Sequence, residues 1–486
     1  MVQHIHMIGI GGAGMSAIAT VLLEMGYKVS GSDLKDSDVV SSLMRKGAEV
    51  HIGHAASHVA GANQVVFSSA IPQDNPEIRE AKGLGIPVLH RSEMLARILN
   101  NHDGIAVAGA HGKTTITGMI AHILTSLGVD PTVLAGGEMQ NKCVHARLGR
   151  GKYVVAEADE SDGSFLRYYP YIAVITSVEA DHLENYGGRA HHLVDSYKAF
   201  IANIKDGGTL VISRQAYLVL KDAIDQAKGR FAVSVYGLDY QMGRPLESKG
   251  DHLGDNWFRD GRELDYRASN VHLAGSTSIF TVDYQGRSLG KARLVIPGAY
   301  NVENALAAIA VAQAVGLTFG EVVGVLDGFH GAHRRFEWVG AGDGIVVYDD
   351  YAHHPTELRK TLQAAREFGR RVVAVFQPQR YSRTQLLMEE FGRSFQDADL
   401  VVVTDIYAPP PEKPLPGVTA ERLAHLVAQH IGQDRVLYVG DQGHIPDALL
   451  PHLTNNDLVI TMGAGDVWQV AHAVVERLQR KDVQGM

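Results

Sequence analysis

The stretch Gly9–Ser16, GIGGAGMS, is a glycine-rich loop that directly follows the strand-like run His4–Ile8 and leads into the helical pattern Met15–Met25. Three of its glycines stand in the spacing G-x-G-x-x-G. Strand, glycine loop and helix in this order are typical of a βαβ unit that binds a nucleotide. The spacing alone is weak evidence, because glycines also serve tight turns. The stretch therefore predicts an α/β fold and raises a nucleotide site as a hypothesis.

Outward from this stretch, strand-like and helical patterns alternate along most of the chain. A length of 486 residues corresponds to roughly three domains of about 150 residues each. We therefore predict an α/β protein whose parts are a Rossmann-like domain at residues 1–103, a central P-loop ATPase-like domain at residues 104–325 and a C-terminal Rossmann-like domain at residues 326–486.

Two segments interrupt this alternation. Residues 236–296 hold short β-like pieces between polar and glycine-rich stretches, which predicts a small antiparallel addition to the central sheet. After Leu317 the chain passes through Gly324 and Gly328, and we interpret this passage as the linker to the third domain.

The composition narrows the class of protein. The chain has 45 Lys and Arg against 54 Asp and Glu, a formal net charge of −9, and no block of like charge. This balance predicts no nucleic-acid partner and no anionic membrane surface as a partner. No apolar run reaches the ~18 residues that span a bilayer, and the one cysteine, Cys143, has no second cysteine to pair with. We expect a cytoplasmic location and no membrane partner.

A second glycine loop, GAHGKTT at Gly109–Thr115, follows the strand-like run Gly104–Ala108 and opens the helical pattern Thr114–Leu127. In a phosphate-binding loop, backbone N–H groups surround the phosphates, a lysine neutralises them and a hydroxyl binds Mg²⁺. Lys113 and Thr114 fit the last two roles. The first glycine lies three rather than five residues before the second, which departs from the common spacing. The strand and helix on either side still favour a phosphate-binding loop.

Acidic side chains and one histidine follow the ends of two predicted strands of the central domain, Tyr153–Ala156 and Ile172–Ser177. The two groups are Glu157, Asp159, Glu160 and Asp162, and then Asp181 and His182. In an open parallel sheet, both strand ends face the crevice that holds the phosphate loop. Carboxylate oxygens suit Mg²⁺ beside substrate phosphates. The histidine is open between a metal ligand and a structural residue.

The third domain carries a set of basic, acidic and aromatic residues. The set comprises Arg334, Arg335, Asp349, Asp350, Tyr351, His353, His354, Arg380 and Arg383. Guanidinium groups bind carboxylate or phosphate through paired hydrogen bonds, which favours an anionic substrate. A metal shared by His353 and His354 is the weaker interpretation, because adjacent side chains on an extended segment point to opposite faces.

The ligand of the first glycine loop stays open at this level. Asp33 lies near the end of the second strand-like run, where a dinucleotide-binding domain has the carboxylate that binds ribose. Free N–H groups at Met15 and Ser16, where the helix starts, would bind any diphosphate. NAD and a UDP-linked sugar fit these residues equally well.

Taken in order, the motifs resemble those of the Mur ligases over essentially the whole chain. The strings that carry the resemblance are Gly9–Ser16 (GIGGAGMS), Ser68–Pro72 (SSAIP), Gly109–Thr115 (GAHGKTT), Glu157–Leu166 (EADESDGSFL), Glu179–His182 (EADH), Asn301–Ala308 (NVENALAA), Arg334–Glu337 (RRFE), Asp349–Glu357 (DDYAHHPTE), Phe376–Thr384 (FQPQRYSRT) and Met462–Val467 (MGAGDV). One such string is weak evidence, whereas the ordered set is strong.

The resemblance implies a cytoplasmic ligase of peptidoglycan precursor synthesis. Such an enzyme uses ATP and Mg²⁺ to join L-alanine to the lactyl carboxylate of UDP-N-acetylmuramate through an acyl phosphate. The resemblance thereby assigns the first glycine loop to the UDP of the sugar substrate and not to NAD. It also implies a monomer or weak homodimer, with Arg335 and Asp350 moving inward when ATP binds.

The resemblance also implies a role for each site residue. The residues for the UDP-sugar are Gly9, Gly11, Gly12, Gly14, Met15, Ser16, Asp33, Ser68 and Ser69. Those for ATP are Gly109, His111, Gly112, Lys113, Thr114, Thr115, Asn301, Asn304, Arg335 and Asp350. The metal ligands are Thr114, Glu157 and His182, and the amino-acid site has Glu160, Tyr351, His353, Arg380 and Arg383, with His354 close by. The catalytic set is Lys113, Glu157, His182 and Arg335.

Four positions depart from the family pattern. They are Ala110 in place of threonine, Tyr300 and Gln379 in place of histidine, and Ser177 in place of asparagine. Three alternatives accompany the main hypothesis: a recycling ligase that adds a preformed tripeptide to the same sugar nucleotide, a nicotinamide-dependent oxidoreductase, and a catalytically silent nucleotide-binding protein. The oxidoreductase leaves the second glycine loop and the arginines unexplained.

Overall fold

The computed structural model describes residues 3–136, 146–179, 183–239, 264–409 and 412–484. Cys143, Asp181 and His182 lie outside these ranges, so the predictions made for them stay predictions. The chain divides into two compact units. The first unit comprises Met1–Ser269, Thr281–Ala292 and Glu303–Gly328, and the second comprises Asn270–Phe280, Arg293–Val302 and Phe329–Met486.

The N-terminal sheet is parallel and contains five of the described strands. These are β1 (His4–Ile8), β2 (Lys28–Asp33), β3 (Glu49–Ile52), β4 (Gln64–Phe67) and β5 (Val88–His90). The helices that accompany them are α1 (Ala13–Glu24), α2 (Asp38–Arg45), α3 (Pro76–Gly83) and α4 (Arg91–Asn100). The order β3-β2-β1-β4-β5 puts β1 in the middle, buried from Ile5 to Ile8. The first glycine loop therefore leaves the centre of the sheet.

The central sheet contains ten of the described strands. These are β6 (Asp103–Ala108), β7 (Thr132–Leu134), β8 (Ala146–Arg147), β9 (Tyr153–Glu157), β10 (Ile172–Ile175), β11 (Thr209–Ser213), β12 (Ala232–Leu238), β13 (Tyr266–Ala274), β14 (Thr277–Tyr284) and β15 (Arg287–Leu294). The helices of this part of the chain are α5 (Lys113–Ser126), α6 (Ala190–Ala202), α7 (Arg214–Gln226), α8 (Ala299–Ala314) and α9 (Phe319–Leu326).

The order of the central sheet is β15-β14-β13-β12-β11-β10-β6-β9-β7-β8. Strand β6 pairs in parallel with both β10 and β9. The segments that follow these three strands therefore emerge at the same edge of the sheet, as the sequence predicts. The β-like pieces near residues 266–294 do extend this sheet, but the first of them, β13, joins β12 in parallel.

The third sheet contains six of the described strands, all within the C-terminal part of the chain. These are β16 (Glu337–Gly342), β17 (Ile345–Asp350), β18 (Arg371–Phe376), β19 (Leu400–Val403), β20 (Val436–Tyr438) and β21 (Asp457–Met462). The helices are α10 (Pro355–Arg366), α11 (Tyr381–Leu386), α12 (Met388–Gly392), α13 (Ala420–Ile431), α14 (Ile445–Leu449) and α15 (Trp468–Gln484). The order is β16-β17-β21-β18-β19-β20, with β16 antiparallel to β17 and the other pairs parallel. The predicted α/β class is confirmed.

The predicted linker after Leu317 is wrong in one respect, because helix α9 occupies most of it. Thr318 and Glu321 form a capping box: the Glu321 N–H donates to Thr318 Oγ1 at 3.3 Å, and the Thr318 N–H donates to Glu321 Oε2 at 2.8 Å. Such a cap stabilises a helix by about 1 kcal/mol, enough to offset the cost of a glycine such as Gly324 in the helix.

None of the helices in the described ranges combines the length and the apolar character needed to cross a membrane.

Candidate active site

The phosphate loop between β6 and α5 has two positions that only glycine fits. Gly109 has φ of 132°, and a Cβ there would lie 2.0 Å from Thr176 Oγ1. Gly112 has φ of 83°, and a Cβ there would lie 2.8 Å from Asn304 Oδ1. The loop is therefore packed against the end of β10 on one side and against helix α8 on the other. This close packing brings Asn304, predicted for ATP, next to the loop.

The segment after β10 also holds the loop through hydrogen bonds. The N–H of His111 donates to Ser177 Oγ at 3.2 Å, and the N–H of Ala110 donates to the Ser177 carbonyl at 3.3 Å. His111 Nε2 lies 3.2 Å from Glu179 Oε2. Ser177, one of the departures from the family pattern, thus supports the backbone of the phosphate loop.

Lys113 is the first residue of α5, and its ammonium is paired with a carboxylate. Its Nζ donates to Glu160 Oε1 at 2.8 Å and Oε2 at 2.9 Å, and to the Gly109 carbonyl at 2.6 Å. Burial acts to lower the pKa of Lys113, but the carboxylates of Glu160 and Asp159 raise it by more, so this pKa lies above its ordinary value. The lysine is therefore positively charged at the start of a helix, where phosphate binds.

The acidic segment after β9 lies beside this lysine. Burial acts to raise the pKa of Asp159, but Lys113, Ser161 and Arg91 lower it by more, so Asp159 stays ionised at neutral pH. Glu157 Oε1 accepts a hydrogen bond from the Gly136 N–H at 2.8 Å. Carboxylates here and the Thr114 hydroxyl supply oxygen atoms, which are the ligands that Mg²⁺ prefers.

The glycine loop after β1 is organised by an aspartate. The Gly11 N–H donates to Asp33 Oδ2 at 2.9 Å, so Asp33 fixes the loop as well as lying beside it. The expectation of a free N–H at Ser16 is wrong, since this N–H donates to the Gly12 carbonyl at 2.8 Å. The side chains of Met15 and Ser16 are also buried, and their contact with a ligand stays a prediction. The exposed residues of the loop are Gly12, which is the N-cap of α1, and Ala13.

The serines after β4 connect the N-terminal sheet to the acidic segment. Ser69 Oγ donates to Asp162 Oδ2 at 3.1 Å and lies 2.9 Å from His90 Nε2. Ser68 lies at the first glycine loop, with its Oγ 3.6 Å from the position that a Cβ on Gly9 would take. The structure therefore brings the predicted sugar-nucleotide residues close to the acidic segment.

In the second unit, the two arginines before β16 have different environments. Arg334 donates to Asp349 Oδ2 at 2.8 Å, to the Gly465 carbonyl at 2.8 Å and to the Gly463 carbonyl at 2.6 Å. Three of the five N–H donors of Arg334 are thus taken by protein acceptors, and its binding of an anionic substrate stays a prediction. Arg335 is the more available group: its side chain is 32% exposed, and its nearest carboxylate oxygen, on Glu357, is 3.8 Å away.

Asp350 holds the turn that carries these arginines. Its carboxylate accepts from the Phe336 N–H at 2.7 Å, from the Ala352 N–H at 2.8 Å and from Thr361 Oγ1 at 3.2 Å. Burial raises the pKa of Asp350 to about 6, against the opposing effect of Arg335. The contacts give Asp350 a structural task, and its contact with ribose stays a prediction. Asn301 is similarly buried and donates to the Pro297 carbonyl at 2.7 Å.

His353 is neutral at physiological pH. Burial lowers the pKa of His353 to about 4, although Glu357 acts in the opposite direction. Its Nδ1 lies 2.9 Å from the Tyr351 carbonyl, so Nδ1 carries the proton of the neutral ring. His354 caps α10 by accepting from the Thr356 N–H at 3.3 Å, which assigns it to the helix start.

Arg380 and Arg383 lie at the start of α11. Arg380 has φ of 68°, an unfavourable backbone conformation for a non-glycine residue, and its side chain is exposed. Strain of this kind is concentrated at functional sites. Arg383 is buried and donates to Gln379 Oε1 at 3.0 Å, so another departure from the family pattern orients this arginine.

Family models match all three parts of the chain. They are described as Mur ligase family, catalytic domain (residues 4–103), Mur ligase middle domain (residues 107–312) and Mur ligase, glutamate ligase domain (residues 334–465). The chain belongs to the Mur ligase family.

Curated relatives of this Mur ligase match it over nearly its full length. The protein named UDP-N-acetylmuramate--L-alanine ligase from Trichlorobacter lovleyi is 45% identical over 98% of this chain and 99% of its own. The protein of the same name from Geobacter sulfurreducens is 44% identical over 98% of both chains. Among solved structures, UDP-N-acetylmuramate-alanine ligase from Thermotoga maritima has a TM-score of 0.79 and 27% identity over 98% of this chain and 99% of its own.

A murein peptide ligase from Psychrobacter arcticus is also similar in structure. It has a TM-score of 0.66 and 24% identity over 98% of each chain. At this identity the likeness shows the shared Mur ligase fold alone.

Arg91 is a residue of this Mur ligase that the sequence analysis did not single out. It is the first residue of α4, and its Nη2 donates to Asp159 Oδ2 at 2.9 Å. A cation is electrostatically disfavoured at a helix N-terminus. The sequence does show an arginine at this predicted helix start and no basic residue in the glycine loop of the same domain. These two features together could have identified Arg91 as a candidate site residue.

Proposed function

We propose that this Mur ligase uses ATP to join L-alanine to the lactyl carboxylate of UDP-N-acetylmuramate. The choice of substrates rests on the near-full-length similarity to proteins named UDP-N-acetylmuramate--L-alanine ligase, at 44–45% identity. The proposal assigns the first glycine loop to the sugar nucleotide and the second to ATP. A cytoplasmic location and a monomer or weak homodimer remain predictions.

A carboxylate does not acylate an amine in water unless its oxygen is turned into a leaving group. Transfer of the γ-phosphoryl group of ATP to the lactyl carboxylate forms an acyl phosphate and releases ADP. The alanine amine then attacks the acyl carbon and phosphate leaves. In such transfers a protein acts mainly by positioning reactants and neutralising charge.

Lys113 is the residue that we assign to the transferring phosphoryl group. Its ammonium is charged and sits at the start of α5, as shown by its contacts with Glu160 and Gly109. When phosphate oxygens take the place of Glu160 at Lys113, the carboxylate of Glu160 becomes available to the incoming amine. This exchange accounts for both predicted roles, phosphate binding by the lysine and amine binding by the glutamate.

The oxygen donors near the loop suit Mg²⁺, which we propose as the metal. Thr114 and Glu157 would hold it, together with the predicted ligand His182. When bound, Mg²⁺ supplies positive charge that neutralises the phosphate oxygens.

For the second unit we propose roles in binding and positioning. Arg335 supplies positive charge to the γ-phosphate, and Arg380 and Arg383 bind the carboxylate of alanine. Tyr351 and His353 complete the amino-acid site. The neutral ring of His353 adds no charge to that site at pH 7.

The proposed function is tested by ATP-dependent phosphate release with UDP-N-acetylmuramate and a panel of amino acids plus the recycling tripeptide. We expect release that requires both the sugar nucleotide and L-alanine. Release with the tripeptide and the sugar nucleotide, but not with L-alanine, would identify the chain as a recycling ligase. No release with any acceptor would contradict ligase activity.

A further inference from the structure

The guanidinium of Arg91 lies between two loops that the proposed function gives to different substrates. On one side its Nη2 donates to Asp159 Oδ2 at 2.9 Å, and Asp162 Oδ2 is 4.0 Å away. On the other side its Nη1 approaches the first glycine loop so closely that a Cβ on Gly14 would lie 3.1 Å from it. An alanine at position 14 would require the guanidinium to move by a few tenths of an ångström.

A cation beside the glycine loop would strengthen the binding of a diphosphate there. Residues 9–16 contain no Lys or Arg, and the carboxylate of Asp33 accepts the Gly11 N–H at 2.9 Å. A diphosphate would therefore face the negative charge of Asp33 with only backbone dipoles to offset it. Arg91 supplies the missing positive charge from α4.

The placement of Arg91 is not explained by the stability of its own helix. It is the first residue of α4, where the helix dipole disfavours a cation. The helix start already has its cap, since the His90 N–H donates to Glu93 Oε2 at 2.8 Å. The side chain of Arg91 is 22% exposed, so solvent and ligand can reach it.

We propose that Arg91 binds the diphosphate of the sugar nucleotide through the side of its guanidinium that faces Gly14, and that Asp159 holds it in position from the other side. This inference rests on the proposed function, which places a nucleoside diphosphate sugar at the loop. It makes Arg91 a substrate-binding residue and Asp159 a positioning residue. Because Asp159 uses Nη2 and the loop faces Nη1, the carboxylate and the diphosphate do not compete for one donor.

The test compares the binding of UDP and of uridine by isothermal titration calorimetry, in the absence of ATP. The variant R91A should lose at least about tenfold in affinity for UDP, since a charge-assisted hydrogen bond to phosphate is lost, while its affinity for uridine changes by less than about twofold. The matched control is R97A on the same helix, whose guanidinium donates to Gln64 Oε1 at 3.1 Å. R97A should bind both ligands like the wild type.

The positioning role is tested by a double-mutant cycle. D159A should weaken UDP binding, and R91A/D159A should bind UDP no more weakly than R91A alone, because both changes remove one interaction. Additive losses, or equal losses for UDP and uridine, would overturn the proposal in favour of a general structural effect. If R91A does not fold, R91K takes its place in the test, because it keeps a cation on α4. R91K should show a smaller difference between its affinities for UDP and for uridine than the wild type does.

The result separates this inference from the proposed function. If the wild type ligates L-alanine while R91A binds UDP normally, the inference about Arg91 is wrong and the function stands. If the wild type binds UDP with the predicted dependence on Arg91 but catalyses no ligation, the proposed function fails and the diphosphate site stands.

Discussion

The ammonium of Lys113 and the carboxylate of Glu160 form a two-oxygen contact, with Nζ 2.8 and 2.9 Å from the two oxygens. Only 18% of the lysine side chain and 6% of the glutamate side chain are exposed. The pair keeps the cation of the phosphate loop charged and oriented when no nucleotide is present. ATP binding in the proposed mechanism therefore exchanges one set of anionic oxygens for another at the same nitrogen.

Replacing Lys113 with alanine should abolish ligation. The change removes the positive charge from the phosphate loop and leaves Glu160 buried without its partner, so we expect turnover to fall by at least about a hundredfold. Initial rates of phosphate release measure this. Lys198, an exposed lysine on α6 that pairs with Asp195, provides the control K198A, which should keep wild-type turnover. Wild-type turnover in K113A would refute the assignment of Lys113.

Replacing Arg334 should mainly lower stability, whereas replacing Arg335 should mainly lower turnover. R334A removes three hydrogen bonds, one of them from the ion pair with the buried Asp349, so unfolding should become easier by about 3 kcal/mol or more. R335A loses a long contact with Glu357 and the packing of its guanidinium over the Tyr351 ring, and it should change the free energy of unfolding by less than about 1 kcal/mol while strongly lowering turnover. Thermal unfolding and initial rates measure both. The opposite pattern would mean that the two roles have been exchanged.

Glycine at position 112 should be required for nucleotide binding. G112A introduces a Cβ 2.8 Å from Asn304 Oδ1 in a left-handed backbone, so the loop or the Asn304 side chain must move and ATP affinity should fall at least about tenfold. G128A is the matched control, because Gly128 follows the same helix with φ of 77° and has no atom within 4 Å of its Cβ position. Both variants should lose about 1 kcal/mol of stability to backbone strain. Equal ATP affinities for the two variants would contradict the prediction.

His353 should make the second unit less stable in acid. Its pKa of about 4 in the folded protein lies below the ordinary value of 6.5, so between these values the unfolded chain binds a proton that the folded chain does not. Lowering the pH from 7.5 to 5 should therefore cost about 2 kcal/mol of stability in the wild type that H353Q does not lose. Denaturant unfolding at the two pH values tests this, with H425Q at an exposed site on α13 as the control. A wild type and an H353Q variant with the same pH dependence would disprove the shift.

Much of the fold follows from the sequence, because buried parallel strands are short apolar runs between turn residues. The bounds of β1 agree to the residue with the predicted strand His4–Ile8. Helix α9 was not predicted, because Gly324 and Gly328 were interpreted as a linker and the capping box of Thr318 and Glu321 was given too little weight. Local propensity and capping compete there, and their balance depends on tertiary packing.

The chemistry of single side chains was harder to predict than the elements that carry them. Arg334 and Arg335 are indistinguishable in the sequence, yet the carbonyls of Gly463 and Gly465, about 130 positions later, take the donors of Arg334 alone. Arg91 was missed for the same reason: its partner Asp159 lies 68 positions away. Contacts over such separations are set by the sheet order, which spacing in the sequence does not reveal.

Following oxygen through the reaction tests the proposed acyl phosphate most directly. UDP-N-acetylmuramate carrying a heavy-oxygen label in its lactyl carboxylate is incubated with ATP and L-alanine, and the released phosphate is analysed by mass spectrometry. The acyl-phosphate mechanism predicts one labelled oxygen in the phosphate and formation of the alanyl amide, because the carboxylate oxygen leaves with the phosphoryl group. Unlabelled phosphate, or no amide in the presence of L-alanine, would contradict it.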